Sequence, residues 1–195
     1  MRLDVLDHGQ KRPARALIRG VELVSRHPMD NVAMTAMYRP GFWGRPFFEM
    51  AGPVLRGPSY WTPGEREYMA MVVSRLNECP FCLRVHTETT RIESRGEVAV
   101  EDAAAMRPEL AAVLPLLEKL TTAPDAVTPA DVVTVRTAGV PDDAIVDALH
   151  VMLIFNTVNR LANALGWSWD SEEHVRVAAV AIHRLRYKLP GFAMR

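Results

Sequence analysis

Sulfur chemistry is nearly absent from this chain outside one short stretch. Its 195 residues contain two cysteines, Cys79 and Cys82, which excludes a disulfide-stapled fold and points to a working dithiol in a reducing compartment. Net charge is lacking too. The 23 Lys and Arg match the 23 Asp and Glu, so no basic excess favours nucleic acid or a membrane surface as a partner. No stretch alternates apolar and polar residues as a half-buried strand does, no Gly-rich phosphate loop occurs, and no internal repeat stands out. The longest apolar stretch, from Ile145 to Phe155, is interrupted within or just beyond it by Asp147, His150, Asn156 and Arg160. It therefore reads as a core helix and not as a membrane span. The start of the chain, from Met1 to His8, lacks the apolar core of a signal peptide, so a cytoplasmic location is expected.

What is present is helical punctuation. The length suits one domain over 1–195, with a turn-rich arm at 1–62 and a helix pair at 63–95. Residues 13–27 carry an apolar stripe of Ala14, Leu17, Ile18, Val21 and Val24. Prolines and glycines break 28–62 into short helices and turns. Phe42, Trp43, Phe47, Phe48, Tyr60 and Trp61 cluster there, suited to a core, a subunit contact or a pocket wall. Thr62-Pro63 with Glu65, and again Thr128-Pro129, look like capped helix starts. Further helices are expected over 80–94, 100–106, 108–120 with a kink or split at Pro115, 129–138, 141–165 and 171–189. The helix over 141–165 is the longest, is apolar nearly all round from Ile145 to Phe155 and is expected at the centre, with Gly166 as its stop. The fold class is all-α.

The chemistry gathers between Glu67 and His86. Pro80 disfavours an α conformation for Cys79 and suits the first position of a new helix, which puts Cys82 in its first turn. Unsatisfied N–H groups and the helix dipole stabilise a thiolate there, so Cys82 is the expected nucleophile. Residues 82, 85, 86 and 89 share a face, which turns the His86 imidazole toward the Cys82 sulfur as a proton acceptor. Cys79 is near enough to close a disulfide with Cys82. Glu67 is harder to place. Straight helices put it roughly 18 Å before Cys79 and His86 about 10 Å beyond, so a direct contact between them needs a bend, a water or a different crossing angle. Glu67 also suits a plain ion pair with an arginine.

Glu67, Cys79 twelve positions on, Cys82 three further and His86 four further resemble the pattern of the alkylhydroperoxidase D family, within the carboxymuconolactone decarboxylase-like superfamily. The segment from Phe155 to Gly166 is similar to one in its peroxidase-related branch. The resemblance implies a compact helical bundle that assembles into homo-oligomers, often trimers or larger, with a dimer as the alternative. It implies Cys82 as the peroxidatic cysteine, Cys79 as the resolving one, and Glu67 with His86 as a proton relay. It calls for no bound cofactor, and its partners are a peroxide and an external thiol or dithiol reductant. Phe81 departs from the pattern. Some members carry a histidine there, and a phenylalanine removes one proton carrier.

The leading function is thus a thiol-dependent peroxidase of antioxidant role. A carboxymuconolactone decarboxylase-like lyase is an alternative, although such members do not generally rely on a cysteine pair. A non-catalytic redox-sensing oligomer is another. A structural zinc would need a second ligand pair, leaving only a Cys-Cys-His-Glu set for a metal. His150, Asn156 and Arg160 are candidates either for partnered polar groups between helices or for residues facing the cysteines.

Overall fold

A computed structural model describes residues 1–95, 98 and 106–194. Among them the chain forms ten α-helices and no strand: α1 (Val5–His8), α2 (Arg12–Ser25), α3 (Asn31–Tyr38), α4 (Arg45–Arg56), α5 (Pro63–Leu76), α6 (Pro80–Ser94), α7 (Pro108–Thr122), α8 (Pro129–Thr137), α9 (Asp142–Leu165) and α10 (Glu172–Leu185). The all-α class follows. The short helix expected over 100–106 lies, except for its last residue, outside the described residues.

Local chemistry accounts for the helix starts. Thr62 accepts from the Glu65 N–H while Glu65 accepts from the Thr62 N–H, a reciprocal cap that opens α5. Thr128 and Asp131 repeat it at α8. Gly166, at φ +67°, ends α9 in the left-handed region. Pro115 neither splits nor ends α7. Leu110, Val113, Leu116 and Leu117 are buried on both sides of it, and their packing outweighs one missing backbone bond.

The central helix is α5, not α9. Every residue from Gly64 to Ser74 is buried, including Glu65, Arg66 and Glu67. Composition hides this role, because each buried polar side chain makes at least one hydrogen bond or ion pair. Arg107 pairs with Glu65, Arg66 donates to the Val54 carbonyl at 2.8 Å, and Ser74 donates to the Ala70 carbonyl at 2.7 Å. The helix α9 packs against α5 on one side only, leaving Val146 and Leu153 exposed on the other. Gly64 lets α5 meet the end of α6 closely, for a Cβ there would stand 2.6 Å from the Ser94 Cα.

Two apolar stretches are less buried than their patterns suggest. In α2 only Ala14 and Ile18 are buried, and Val24 is 85% exposed. The aromatic cluster divides: Trp61 enters the core, Trp43 stacks on Phe47 at 4.7 Å, and Phe42 is 80% exposed. The last helix stops at Leu185, four residues before its expected end. Arg186 and Tyr187 follow with φ of +52° and +60°, turning the chain back toward α5.

Candidate active site

The antiparallel pair α5–α6 brings the expected residues together. Between the helices Glu78 takes a left-handed conformation at φ +49° and Cys79 an extended one, so Cys79 is the cap residue of α6. Cys82, Val85, His86 and Thr89 are all buried along one face of α6, as their spacing requires. Both cysteines are free thiols and buried.

Glu67 and His86 are in direct contact, with Nδ1 of the imidazole 2.6 Å from Oε2 of the carboxylate. The rise along two straight helices overstated their offset because it counted the turn as helix. Measured from the helix ends at Leu76 and Pro80, the residues lie roughly 13 and 9 Å along, a gap that two long side chains span. Thr89 donates to the same Oε2 at 2.9 Å. The other oxygen, Oε1, accepts from the Tyr187 phenol at 2.8 Å and lies 2.6 Å from Nη2 of Arg56. Arg56 also pairs with Glu93 at 2.9 Å, and Glu93 reaches His183 at 3.0 Å. Glu67 is therefore both an arginine partner and a histidine partner.

Charge follows from these contacts. Burial acts to raise the Glu67 carboxyl, but His86, Arg56 and Tyr187 outweigh it and hold the group at about 2. An ionised carboxylate only accepts, so Nδ1 of His86 carries the hydrogen and Nε2 is the nitrogen left for the reacting groups. Burial and the nearby Glu67 push the Tyr187 phenol well above its ordinary value, keeping it a donor.

At the cysteines the structure departs from expectation. The Cys82 thiol, acting against burial and aided by the Cys82 and Phe81 backbone N–H groups, lowers Cys79 to about 7. Cys82 itself is raised well above 9, first because it donates to Cys79 and then by burial. The lowered thiol is thus the cap residue, which meets the unsatisfied N–H groups of the helix start, and Cys82 is the raised one. The ultraviolet absorbance of thiolate in the reduced protein is expected to rise in two steps, one near pH 7 and one well above 9. Cys79→Ser should remove the lower step. A lower step that survives it would overturn this order.

Cys82 and His86 line one cavity of about 120 Å³ together with Phe81, Val85, Ile154, Phe155, Val158 and Trp169, while Cys79 lies outside its lining. The wall is almost wholly apolar. Phe81 stacks on Trp169 at 4.3 Å, and the Phe155 ring meets His86 edge-on at 4.5 Å. From α9, then, the cavity receives Phe155 and its neighbours, not His150 or Arg160, which are exposed.

Asn156 acts elsewhere. It accepts from Asn77 at 3.1 Å and donates to Thr121 at 3.2 Å, and Arg160 donates to it at 2.8 Å. Asn159 accepts from Ser74 at 3.3 Å, and Asn163 donates to the Asn77 carbonyl at 3.0 Å. These three asparagines, on one side of α9, hold the end of α5 and the turn before Cys79. Sequence reasoning missed Arg56, Glu93 and Tyr187. Thr89 was legible from its shared face with His86, but the other three have no spacing relation to Glu67.

The carboxylate and imidazole are bonded to each other, which leaves them badly placed to share an ion with the cysteines. A different group, His27, Asp170 and His174, has donor atoms within 4.8 Å of one another. Its two imidazoles stack nearly parallel, 5.2 Å apart, so their in-plane lone pairs do not converge. Asp170 instead bonds His174 at 2.5 Å.

No family model matches the chain, and no curated protein does. Several solved structures do, among them the following two. One is described as an alkylhydroperoxidase AhpD core, an uncharacterized peroxidase-related protein from Ralstonia eutropha JMP134. It is 25% identical, with a TM-score of 0.70 over 86% of this chain and 92% of that one. The other is an uncharacterized peroxidase-related protein from Silicibacter sp. TM1040, 25% identical, with a TM-score of 0.69 over 89% and 93%.

Proposed function

We propose that this chain, which has the alkylhydroperoxidase D-like fold and resembles the peroxidase-related branch of that superfamily, is a thiol-dependent peroxidase. The observation that carries the reading is the Glu67–His86 contact beside a cavity that Cys82 and His86 line together. A peroxide in that cavity meets Cys82, whereas Cys79 lies behind it.

The pair has one proton on Cys82, and Nε2 of His86 relays back the proton that the pair has lost. Transfer of the Cys82 proton to Cys79 frees a Cys82 thiolate toward the cavity. That thiolate attacks the terminal peroxide oxygen, forming an S–O bond as the O–O bond breaks, and the departing alkoxide takes the His86 proton as an alcohol. Cys79 then attacks the sulfenic acid on Cys82, and hydroxide leaves with the remaining proton as water. One hydroperoxide and two thiols give one alcohol, one water and one disulfide. An external thiol reductant restores the dithiol, two thiols per disulfide, by exchange. Glu67 fixes the tautomer and orientation of His86, and with Phe81 in place of a second histidine His86 is the relay's single imidazole. A homo-oligomer and a cytoplasmic setting belong to the same reading.

Stopped-flow mixing of pre-reduced protein with hydrogen peroxide and with an organic hydroperoxide tests it. Rapid oxidation with loss of two hydrogens across Cys79 and Cys82, read by mass spectrometry, is the expected result. Thiols that stay reduced would overturn it and favour a lyase.

A further inference from the structure

Phe81 stands between the two cysteines and is more than a missing proton carrier. Its ring is buried and held from two sides. Trp169 stacks on it at 4.3 Å with the planes 3° apart, and Trp167 meets it edge-on at 5.6 Å. Trp169 also donates from Nε1 to the Phe81 carbonyl at 2.8 Å. One side chain thus grips both the ring and the carbonyl of the residue inside the Cys-x-x-Cys segment.

That carbonyl has a consequence across the peptide bond. The Phe81 C=O and the Cys82 N–H are the two ends of one planar peptide group. The Cys82 N–H meets the Cys79 sulfur, where it favours a thiolate together with the Cys82 thiol and the Phe81 N–H. Hydrogen bonds in a chain polarise one another, so a donor on the carbonyl strengthens the N–H of the same peptide. The path from the Trp169 indole to Cys79 therefore runs through a single rigid group.

The segment between α9 and α10 is built to hold Trp169 in place. Beyond Gly166, the Trp167 N–H donates to the Ala162 carbonyl at 3.0 Å and the Ser168 N–H to Oδ1 of Asn31 at 2.9 Å. Ser171 caps α10 by accepting from the His174 N–H at 3.1 Å. His174, bonded to Asp170 at 2.5 Å, meets the Trp169 ring edge-on at 4.9 Å. A donor supported in this way acts on its acceptor without first having to be ordered.

We propose that Trp169 is a positioning residue for the dithiol: through the Phe81–Cys82 peptide it orients and polarises the N–H that meets the Cys79 sulfur. The proposal deepens the peroxidase reading, on which it rests for the use made of the dithiol.

Trp167 supplies the control. It touches the same phenylalanine ring, but its own Nε1–H has no hydrogen-bond partner. The same change to phenylalanine therefore removes a bond only at position 169. In the reduced protein the lower step of thiolate absorbance lies near pH 7. Trp169→Phe should move it up by about one pH unit, the scale of one lost hydrogen bond. Trp167→Phe should move it much less. A less stable thiolate weakens the reduced form, so exchange with glutathione at about pH 9 should favour the disulfide about tenfold more in Trp169→Phe. An unmoved step in Trp169→Phe, or an equal shift in both variants, would overturn the proposal. The parent protein offers a check that needs no tryptophan variant. By NMR, the indole N–H resonance of Trp169 should titrate with the lower step and lose that titration in Cys79→Ser. A titration that survives Cys79→Ser would belong to the adjoining His174 and would refute the link. A dithiol inert to peroxide, with the step still moved by Trp169→Phe, would overturn the peroxidase reading and leave the positioning role standing.

Discussion

Cys82→Ser is expected to reduce peroxide consumption by at least about 10³-fold, the scale on which removal of a nucleophile acts. Serine keeps the shape of the site, but its hydroxyl is not ionised near neutral pH. Cys79→Ser should behave differently. Cys82 still faces the cavity with His86, so one round of oxidation proceeds and stops at a sulfenic acid, with no thiol to resolve it. Mass spectrometry after a dimedone trap should find the adduct on Cys82 in that variant. Removal of Cys79 also takes away the base for the Cys82 proton, so this single turnover should be slower than in the parent. The opposite pattern, with Cys79 trapped and Cys82 dispensable, would exchange the roles of the two sulfurs. The acidity of the pair makes that a real alternative outcome, since Cys79 is the thiol whose value is lowered. Access decides between them, because a peroxide reaches the sulfur that lines its cavity.

Glu67→Ala is expected to destabilise the protein by about 3–5 kcal/mol, the loss typical when one partner of a buried charged group is removed. The carboxylate is fully buried. It accepts from His86, Thr89 and Tyr187 and faces Arg56, and alanine leaves His86 and Tyr187 without that partner and Arg56 with Glu93 alone. Tyr187→Phe removes one donor and should cost less, about 1.5–3 kcal/mol for a bond to a charged group. Urea unfolding of the three proteins would rank them, and a Glu67→Ala midpoint equal to the parent's would refute a stabilising role for the network.

Acid offers an independent check. The folded carboxyl titrates at about 2 against an ordinary value of 4.5. A depressed acid stabilises the fold fully above the unfolded value and loses that contribution as pH falls toward the folded one. Stability of the parent should therefore drop between about pH 4.5 and pH 2. Glu67→Gln, which has no such group, should show a shallower fall over that interval.

Whatever depended on neighbours along the chain was legible without a structure. Thr62-Pro63 and Thr128-Pro129 open helices because a cap oxygen and a fixed proline φ act within three residues. Pro80 forces Cys79 out of the helix for the same local reason. The common face of Cys82, Val85, His86 and Thr89 is a matter of helical period alone. The role of the segment from Phe155 to Gly166 was visible only as a resemblance. Its content, three asparagines gripping the turn before Cys79, needed the crossing of α9 over α5.

Three things were decided in space. The longest helix, α9, lies beside the centre, and the polar-looking α5 fills it, because burial depends on what surrounds a helix and on paired polar groups. The more acidic thiol is Cys79, since it meets the helix-start N–H groups and the other thiol's hydrogen. Glu67 gained Arg56 from the end of α4 and Tyr187 from beyond α10. Spacing determined the cysteines and the histidine of this protein; only the tertiary fold chose the partners of their carboxylate, because a contact between residues far apart in the chain has no period to betray it.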